Sequence, residues 1–379
     1  MYVIPVTKRV LPGLLLAGLL TLSHTSSANA AIQSIWTLSA RTVASAAPVN
    51  YQGLKCSKAV AKPFTGALLV DSKYDQRDPS KSTLGKAPSK ASARIHETVT
   101  EYSKMLSLFA DYYAQARSPE QGAMALACMD QWLETWAAAG ALQNREATKT
   151  GVAVRNWALG GIASSVLRMQ ALSGNRLKLS TTQKQWLERL SGIVIAEYEQ
   201  RLSPSFGYFN NHDYWAAWTI ASTGMLLGKQ SHLDWSTRVF RRAMQQVTPS
   251  AASDYAYLPN ELGRGELAAN YTHYALVPLT LVAETLRVNG SRVSAEDSRK
   301  LDLLANFAAR IVLAPDRLPE LKRQKQMEVP PYKMAWLIPF LNRNPQHALA
   351  RQLYRAEDGE VDGYRQIGGQ IKPFYPNLD

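Results

Sequence analysis

The sequence predicts an all-α domain, and three observations support that fold class. Apolar residues recur at helical spacing along most of the chain from about residue 96 onward. Short connections containing Gly, Ser or Pro separate these segments, and no run of residues alternates between apolar and polar as a half-buried strand would. The 379 residues are 46% hydrophobic and only 19% charged, which excludes a long disordered protein and provides for a sizeable core.

The predicted helices follow one another closely. The clearest start is Ser118-Pro119-Glu120-Gln121, a capping box with Pro at the first helical position, and the helix that it opens ends at Gly140. The remaining helices are expected over residues 150–172, 182–195, 213–228, 233–247, 266–288, 294–313, 333–341 and 346–354. No repeat of about 34 or 40 residues recurs, which disfavours a TPR or HEAT array and leaves a bundle, a helical solenoid or a closed toroid of helix pairs.

Residues 1–30 have the pattern of a secretory signal peptide. Two basic residues precede an apolar run over residues 10–22, and Ala-Asn-Ala at 28–30 is the small-x-small pattern of a cleavage site. The apolar run is short for a membrane span, although an uncleaved membrane anchor is the alternative. We therefore expect an exported mature chain that begins near Ala31 and contains no membrane span.

Two cysteines, Cys56 and Cys128, remain in the mature chain. Export would place them in an oxidising compartment, where an even number of cysteines favours a disulfide, and two separate buried thiols are the alternative. No CxxC, HExxH or other Cys/His cluster with metal-ligand spacing occurs in the sequence. Neither a metal nor another cofactor is therefore expected.

Residues 31–95 carry several prolines and little periodicity, and residues 73–94 within them form a basic stretch rich in Ser and Pro. Composition alone fits a solvated linker as well as a functional loop. The whole chain has a net charge of +13 at pH 7, which suits a polyanionic partner. Nucleic acid would suit that charge too, but no recognised nucleic-acid motif is present, so such a partner is not expected.

The first candidate site segment is FNNHDYWAAW at residues 209–218. Asn210 or Asn211 suits the N-cap of the helix that follows. His212 would then lie in the first helical turn, where free N–H groups and the positive end of the helix dipole favour an anion. A capping Asn followed by a structural His is the alternative.

The second candidate segment is LPNELGRGELAANYTHY at residues 258–274. Arg264 and Tyr271 are seven positions apart, so they would share a helix face if both were helical. Glycines flank Arg264, which allows the backbone to depart from a helix there. An exposed Arg and a core Tyr without a joint role are the alternative.

Together these segments resemble the alginate lyases of polysaccharide lyase family 5, the periplasmic mannuronate lyases of alginate-producing bacteria. The resemblance also includes DSKYD at residues 71–75 and WALGGI at residues 157–162, and it runs from about Cys56 to Asn289. It implies an incomplete (α/α) toroid with a deep substrate groove and an N-terminal lid loop at about residues 70–95. It also implies cleavage of uronate polymers by β-elimination.

The resemblance further implies roles for individual residues. The catalytic Asn–His pair of the family matches Asn211 and His212. The catalytic Arg and Tyr of the family match Arg264 and Tyr271. The residues expected to bind substrate are Lys73 and Lys81 in the lid, Trp157 and Trp215 along the groove, and Arg365 near the C-terminus. Two positions depart from the family pattern, because Lys81 stands for a lid arginine and Gln366 stands for a C-terminal arginine, with Arg365 one place earlier.

These residue types suit elimination from a 4-linked uronate. The C5 proton becomes acidic enough only when the neighbouring carboxylate is neutralised, which Asn211 as a donor and Arg264 as a cation would do. A base must remove the C5 proton and an acid must protonate the departing O4. In mannuronate both leave from the same side, so Tyr271 could serve as base and acid; in guluronate His212 would be the base. Tyr271 is expected to be the acid in every case, and the role of His212 stays open.

The sequence is thus interpreted as a signal peptide followed by a single catalytic domain over residues 31–379. The expected protein is a periplasmic, monomeric alginate lyase that prefers mannuronate and acts on alginate or polymannuronate. One alternative is a lyase for another polyuronate, such as polyglucuronate or a glycosaminoglycan. The other is a non-catalytic periplasmic protein that binds or assembles polysaccharide, which would not need all four candidate catalytic residues.

Overall fold

The structure is a computed structural model that describes residues 1–3, 5, 31–38, 50–291, 293–376 and 378. The apolar run and the cleavage pattern of the predicted signal peptide lie outside the described residues. The chain divides into two compact units, Met1–Ala31 and Ile32–Asp379, and every element discussed below belongs to the second unit. Within the described residues, no helix has the length and apolar character needed to cross a bilayer.

Helices dominate the second unit, which confirms the predicted fold class. The α-helices are α1 (Lys90–Ala114), α2 (Pro119–Ala138), α3 (Lys149–Leu172), α4 (Thr181–Glu199), α5 (Asn211–Leu227), α6 (Gln230–Gln246), α7 (Pro259–Leu262), α8 (Ala268–Val288), α9 (Ala295–Leu313), α10 (Leu337–Arg343) and α11 (Ala348–Ala356). A two-residue antiparallel pair, β1 (Thr248–Pro249) and β2 (Ala256–Tyr257), was not predicted.

Two predicted helix bounds are wrong. The first helix starts at Lys90, six residues earlier than expected, because Ser89 caps it and accepts a hydrogen bond from the Ser92 N–H. The segment at 333–341 is a 3₁₀ turn over Pro331–Met334 followed by the short helix α10. Pro330 and Pro331 lack N–H donors, which limits how far a helix can extend in this region.

Side-chain caps fix the start of several helices. Ser180 with Gln183 forms a complete capping box at α4, and Asn210 with Asp213 forms another at α5. Asn210, rather than Asn211, is therefore the N-cap of α5. At α2 only half of the predicted box forms, since the Gln121 side chain accepts from the backbone N–H of Arg117.

The helices alternate between an inner and an outer layer. The inner helices α1, α3, α5 and α8 contact one another in that order. The outer helices α2, α4, α6 and α9 each pack against an inner neighbour. Helices α3 and α5 are buried on almost every face, whereas α6 buries a single stripe. This alternation is the predicted incomplete (α/α) toroid.

The crossing of α3 and α5 is tight, and it holds the N-terminus of α5 in place. A Cβ at Gly160 would lie 2.6 Å from the Thr219 Oγ1 atom, so only glycine permits this approach. Thr219 Oγ1 donates to the Asn156 carbonyl at 3.1 Å, and Trp218 Nε1 donates to Ser164 Oγ at 3.1 Å. In the first turn of α5, the His212 carbonyl accepts from Asn156 Nδ2 at 3.4 Å, which fixes the start of α5 against α3 as well.

The predicted Cys56–Cys128 disulfide is confirmed, with the two Cα atoms 4.7 Å apart. It joins the irregular N-terminal segment to α2. Gln131 reinforces the attachment, because its side chain accepts from the Cys56 N–H at 3.0 Å and donates to the Leu54 carbonyl at 2.6 Å. The segment that precedes the lid is therefore anchored to the outer layer.

The C-terminal segment returns to the inner layer. The Gly368 carbonyl accepts from Ser107 Oγ at 3.1 Å and from Arg168 Nη1 at 2.9 Å. Gly368 has a φ of +84°, and a Cβ there would lie 2.7 Å from the backbone of Ser164. This close contact with α1 and α3 places the adjacent residues 364–366 beside α8.

Candidate active site

The two candidate segments meet through Glu261. Asn211 occupies the first position of α5, and Glu261 lies in the short helix α7. One carboxylate oxygen of Glu261 accepts from the Asn211 backbone N–H at 2.7 Å, and the other accepts from Asn211 Nδ2 at 2.8 Å. Both residues are almost fully buried. These bonds join the start of α5 to the chain that leads into Arg264 and Tyr271.

Arg264 and Tyr271 stack, although they do not share a helix. Arg264 precedes a 3₁₀ turn at Gly265–Leu267, and Tyr271 lies in the first turn of α8. Gly265 has a φ of +60°, so the backbone turns sharply between them. The guanidinium carbon of Arg264 lies 3.6 Å from the centre of the Tyr271 ring. The cation therefore sits directly against the phenol.

The Tyr271 hydroxyl donates to the hydroxyl of Tyr74 in the lid at 2.9 Å. Burial raises the pKa of Tyr271 above its ordinary value, the Arg264 charge opposes that rise, and the bond to Tyr74 adds to it. The phenol is thus protonated at neutral pH. A protonated phenol can donate a proton to a leaving oxygen.

His212 is neutral at physiological pH. Burial and the charges of Arg201 and Arg264 lower the pKa of His212 to about 4. Arg201 forms a bidentate ion pair with Asp213, and both N–O distances are 2.6 Å. The imidazole lies 5.5 Å from the Trp157 ring, measured between ring centres, and remains partly exposed. A neutral imidazole can accept a proton.

The lid was predicted at about residues 70–95, but it ends at residue 89 because α1 begins at Lys90. The lid, residues 71–89, lies against both Arg264 and Tyr271. Besides the Tyr74–Tyr271 bond, the Lys81 carbonyl accepts from Arg264 Nη2 at 2.7 Å. Asp78 braces the loop from within, because its carboxylate accepts from the backbone N–H groups of Ser80, Ser82 and Thr83. The Tyr74 ring also lies 5.2 Å from the guanidinium carbon of Arg264, so the lid is an organised loop that contacts the candidate site through Tyr74 and the Lys81 carbonyl.

The lid lysines are placed differently from each other. Lys73 is exposed, with its ammonium 4.9 Å from the centre of the Tyr74 ring. The Lys81 ammonium instead donates to the Gln76 carbonyl of the lid itself. Lys73 therefore lies beside the tyrosine that contacts Tyr271, whereas Lys81 meets the candidate site through its backbone.

The other predicted binding residues lie at three depths. Trp157 is half-buried beside His212. Trp215 has no exposed surface and packs behind Tyr274 and Tyr364, at ring-centre distances of 5.0 and 5.6 Å. Arg365 is exposed in a 3₁₀ turn over Arg365–Ile367. The structure therefore brings Trp157 to the candidate catalytic group and places Trp215 one layer beneath the surface.

Several residues near the site had no role in the sequence interpretation. Tyr74 and Glu261 stand inside the quoted motifs DSKYD and LPNELGRG, but nothing in the sequence shows which residues they contact. Lys333 Nζ donates to Asn270 Oδ1 at 2.6 Å and lies 5.6 Å from the centre of the Tyr274 ring. Burial and the charge of Lys73 lower the pKa of Lys333 to about 8.

Gln366, one of the two departures from the family pattern, is held by tyrosines. Its amide oxygen accepts from the Tyr364 hydroxyl at 2.9 Å, and its amide nitrogen donates to the Tyr274 hydroxyl at 3.1 Å. The Tyr274 and Tyr271 rings lie 6.2 Å apart, edge to face. A neutral amide therefore lies near the candidate acid, at a position where the family pattern has an arginine.

Comparison with known proteins gives consistent matches. The chain matches the family model described as alginate lyase over residues 69–318, which is more than half of its length. An alginate lyase from Pseudomonas putida is 30% identical over 346 residues, covering 86% of this chain and 88% of that protein. An alginate lyase from Pseudomonas aeruginosa is 31% identical over 329 residues, covering 83% of each chain.

Solved structures match the fold. Alginate lyase A1-III from Sphingomonas species A1 superposes with a TM-score of 0.64 at 17% identity, covering 89% of this chain and 91% of that one. A variant of A1-III complexed with a tetrasaccharide gives a TM-score of 0.66 at 18% identity, covering 89% and 90%. At this level of identity the match establishes the helical toroid alone.

Proposed function

This chain belongs to the alginate lyase family, and from that premise we propose that it is a periplasmic enzyme that cleaves mannuronate-rich alginate by β-elimination. Alginate lyase activity follows from the family. The preference for mannuronate, the compartment and the roles of individual residues are what we propose. The main support is that the Arg264 guanidinium lies against the ring of a protonated Tyr271 and is close enough to His212 for its charge to help keep that imidazole neutral.

The first step is neutralisation of the substrate carboxylate. Arg264 is nearly buried and its Nε atom has no hydrogen-bond partner among the described residues. Asn211 lies at the helix N-terminus, joined to the same turn of chain through Glu261. The cation and the amide donor would neutralise much of the negative charge of a uronate carboxylate bound between these two residues. That neutralisation makes the C5 proton more acidic.

The second step removes that proton and breaks the C4–O4 bond. We assign His212 as the base, because its imidazole carries no extra proton in the free site and a bound uronate carboxylate would offset the Arg201 and Arg264 charges that help to lower its pKa. Tyr271 protonates O4 as the bond electrons from C5–H form the C4–C5 double bond. The raised pKa of Tyr271 opposes its use as a base, since it would first have to lose its own proton. The product carries a 4-deoxy unsaturated uronate at its new non-reducing end.

The preference for mannuronate is supported by the resemblance to family 5 mannuronate lyases. It requires the base and the acid to reach the substrate from one side, because the C5 hydrogen and O4 leave mannuronate on the same side. His212 and Tyr271 both lie near Arg264, whose charge helps to lower the pKa of His212 and opposes the rise in the pKa of Tyr271. This shared neighbour is compatible with attack from one side.

Export to the periplasm is supported by the predicted signal peptide and by the Cys56–Cys128 disulfide, a bond that persists in oxidising compartments. Fractionation of cells that express the full chain would test it. We expect the mature protein, cleaved near Ala31, in the periplasmic fraction. A full-length product in the cytoplasm would contradict this part of the proposal.

The substrate is tested by incubating the mature chain with polymannuronate, polyguluronate, polyglucuronate and hyaluronate. Ultraviolet absorbance of the new conjugated double bond measures elimination directly. The expected result is the highest kcat/KM on polymannuronate. A higher kcat/KM on polyguluronate would overturn the mannuronate preference, and elimination confined to polyglucuronate or hyaluronate would make the chain a lyase for another polyuronate.

A further inference from the structure

Glu261 is a buried carboxylate that the steps above leave without a function. None of its surface is exposed, and among the described residues no Lys or Arg forms an ion pair with it. Both of its oxygens instead accept from a single residue, Asn211. A buried charge without a paired cation is costly, so a glutamate here is a poor choice for stability alone.

Glu284 in α8 is a buried glutamate of the same chain that has a structural role. It is also buried, but Arg343 donates to both of its oxygens at 2.9 Å and Arg287 donates at 3.2 Å. That carboxylate is compensated by two cations and lies 13 residues beyond Tyr271 along the helix. Glu284 therefore provides an internal comparison for Glu261.

The bonds to Glu261 determine how Asn211 is turned. An ionised carboxylate can only accept hydrogen bonds, so the Asn211 carboxamide must face it with Nδ2. Asn211 Oδ1 is then buried with no partner among the described residues. One hydrogen of Nδ2 is given to Glu261, which leaves the second hydrogen as the free donor of this side chain.

Resting on the proposed function, which brings the substrate carboxylate to Asn211, we propose that Glu261 is a positioning residue that sets the rotation of the Asn211 carboxamide. With Glu261 ionised, the free N–H of Asn211 is the group that meets the uronate carboxylate. Without that constraint the carboxamide can turn over and present its oxygen, which repels a carboxylate.

The surroundings of Glu261 give this role a pH dependence. The charged and titratable groups that face it are Arg264, Asp213, Tyr214 and Tyr271. Burial raises the pKa of Glu261 to about 7, and hydrogen bonds from Asn211 together with the Arg264 charge oppose that rise. Above this pH the carboxylate only accepts. Below it, a protonated Glu261 can donate to Asn211 Oδ1, so the constraint on the carboxamide is lost.

Replacing Glu261 by Gln reverses the rotation in a defined way. The backbone N–H of Asn211 cannot turn, so the amide oxygen of the new Gln must face it. The amide nitrogen of Gln then faces the Asn211 side chain, which must present Oδ1 to it. Glu261→Gln therefore removes a buried charge, keeps the shape and turns the Asn211 carboxamide over.

The experiment measures kcat, KM, melting temperature and pH profile for the mature chain, Glu261→Gln and Glu284→Gln. The alginate block that the unaltered chain cleaves best is the substrate, so an incorrect mannuronate preference does not affect the comparison. We expect Glu261→Gln to lower kcat at least about tenfold at pH 8, as removal of a charge-stabilising donor does. Its melting temperature should equal or exceed that of the unaltered chain, and the fall in activity below about pH 7 should be absent.

Glu284→Gln should behave in the opposite way, with a lower melting temperature and an unchanged kcat, because it breaks the pairs with Arg343 and Arg287. The proposal is overturned if Glu261→Gln keeps the kcat of the unaltered chain at pH 8. It is also overturned if Glu261→Gln loses kcat and melting temperature together, since Glu261 would then be structural. A chain that eliminates none of the uronate polymers would instead refute the proposed function.

Discussion

At the scale of single residues, His212 is the group whose role the structure changes most. Its sequence context allowed a base, a neutralising partner or a structural residue. Burial, together with the charges of Arg201 and Arg264, lowers its pKa and leaves it neutral, which is the form that the proposed base requires. Arg201 could not be identified from the sequence, because its bond to Asp213 depends on the turn that precedes α5.

A comparison of two substrates tests this assignment. His212→Ala should lower kcat on polymannuronate by about 10²–10⁴-fold, the usual contribution of a general base. The fall on polyguluronate should be at least as large if the unaltered chain cleaves that polymer. Initial rates of double-bond formation measure both.

Near-normal turnover of His212→Ala on polymannuronate would return the base role to Tyr271. A matched control is His96→Ala. His96 is exposed on α1 and has no place in the proposed chemistry, so this change should leave kcat unaltered.

Other single residues show why the site could be only partly predicted. Asn211, His212, Arg264 and Tyr271 stand in recognisable motifs, and the structure connects them through Glu261 and the Arg264–Tyr271 stack. Trp215 was expected along the groove, yet the structure buries it. An apolar helix face gives the same periodicity to a core tryptophan and to one that lines a groove.

At the scale of elements, the lid shows what composition can and cannot predict. The composition of residues 73–94 fits a solvated linker as well as it fits a functional loop. The hydrogen bonds from Tyr271 to Tyr74 and from Arg264 to the Lys81 carbonyl span more than 180 positions in sequence, so no local pattern could reveal them. Helices, by contrast, follow from local periodicity and caps, and their predicted bounds were mostly within a few residues.

Removal of the Lys73 side chain tests whether the lid binds substrate. Lys73→Ala should raise KM for polymannuronate several-fold with little change in melting temperature, because Lys73 is exposed and forms no ion pair within the described residues. The effect should weaken as salt rises, since an exposed ammonium and a carboxylate are screened.

Lys86→Ala is the matched control, because Lys86 is an exposed lysine of the same lid. It should leave KM close to that of the unaltered chain. Equal KM values for Lys73→Ala and Lys86→Ala would show that Lys73 has no particular part in binding.

At the scale of the whole molecule, the fold class and the disulfide were the features most accessible from the sequence. The fold follows from repeated amphipathic and apolar helices, which must pack in layers. The disulfide follows from a pair of cysteines in a chain expected to be exported. The order of the layers was not predictable, since it depends on contacts such as that of Gly160 with Thr219.

The disulfide should stabilise the folded chain without taking part in catalysis. It closes a loop of 72 residues, for which the chain-entropy model gives about 4 kcal/mol. Replacing Cys56 and Cys128 by Ser should lower the free energy of unfolding by a few kcal/mol, measured by urea titration. The kcat at a temperature where the variant stays folded should be unchanged. A large loss of kcat in the folded variant would show that the N-terminal segment positions the lid for catalysis.

In the proposed mechanism Tyr271 delivers a proton to the departing O4 of a mannuronate polymer. The most direct measurement is kcat of Tyr271→Phe on polymannuronate, with the dissociation constant of an oligomannuronate measured in parallel. The change removes one hydroxyl, whose bond is to Tyr74, while the ring can still stack on Arg264. If Tyr271 is the acid, kcat should fall by about 10²–10⁴-fold with little change in affinity or melting temperature. Near-normal kcat in a folded Tyr271→Phe enzyme would contradict it.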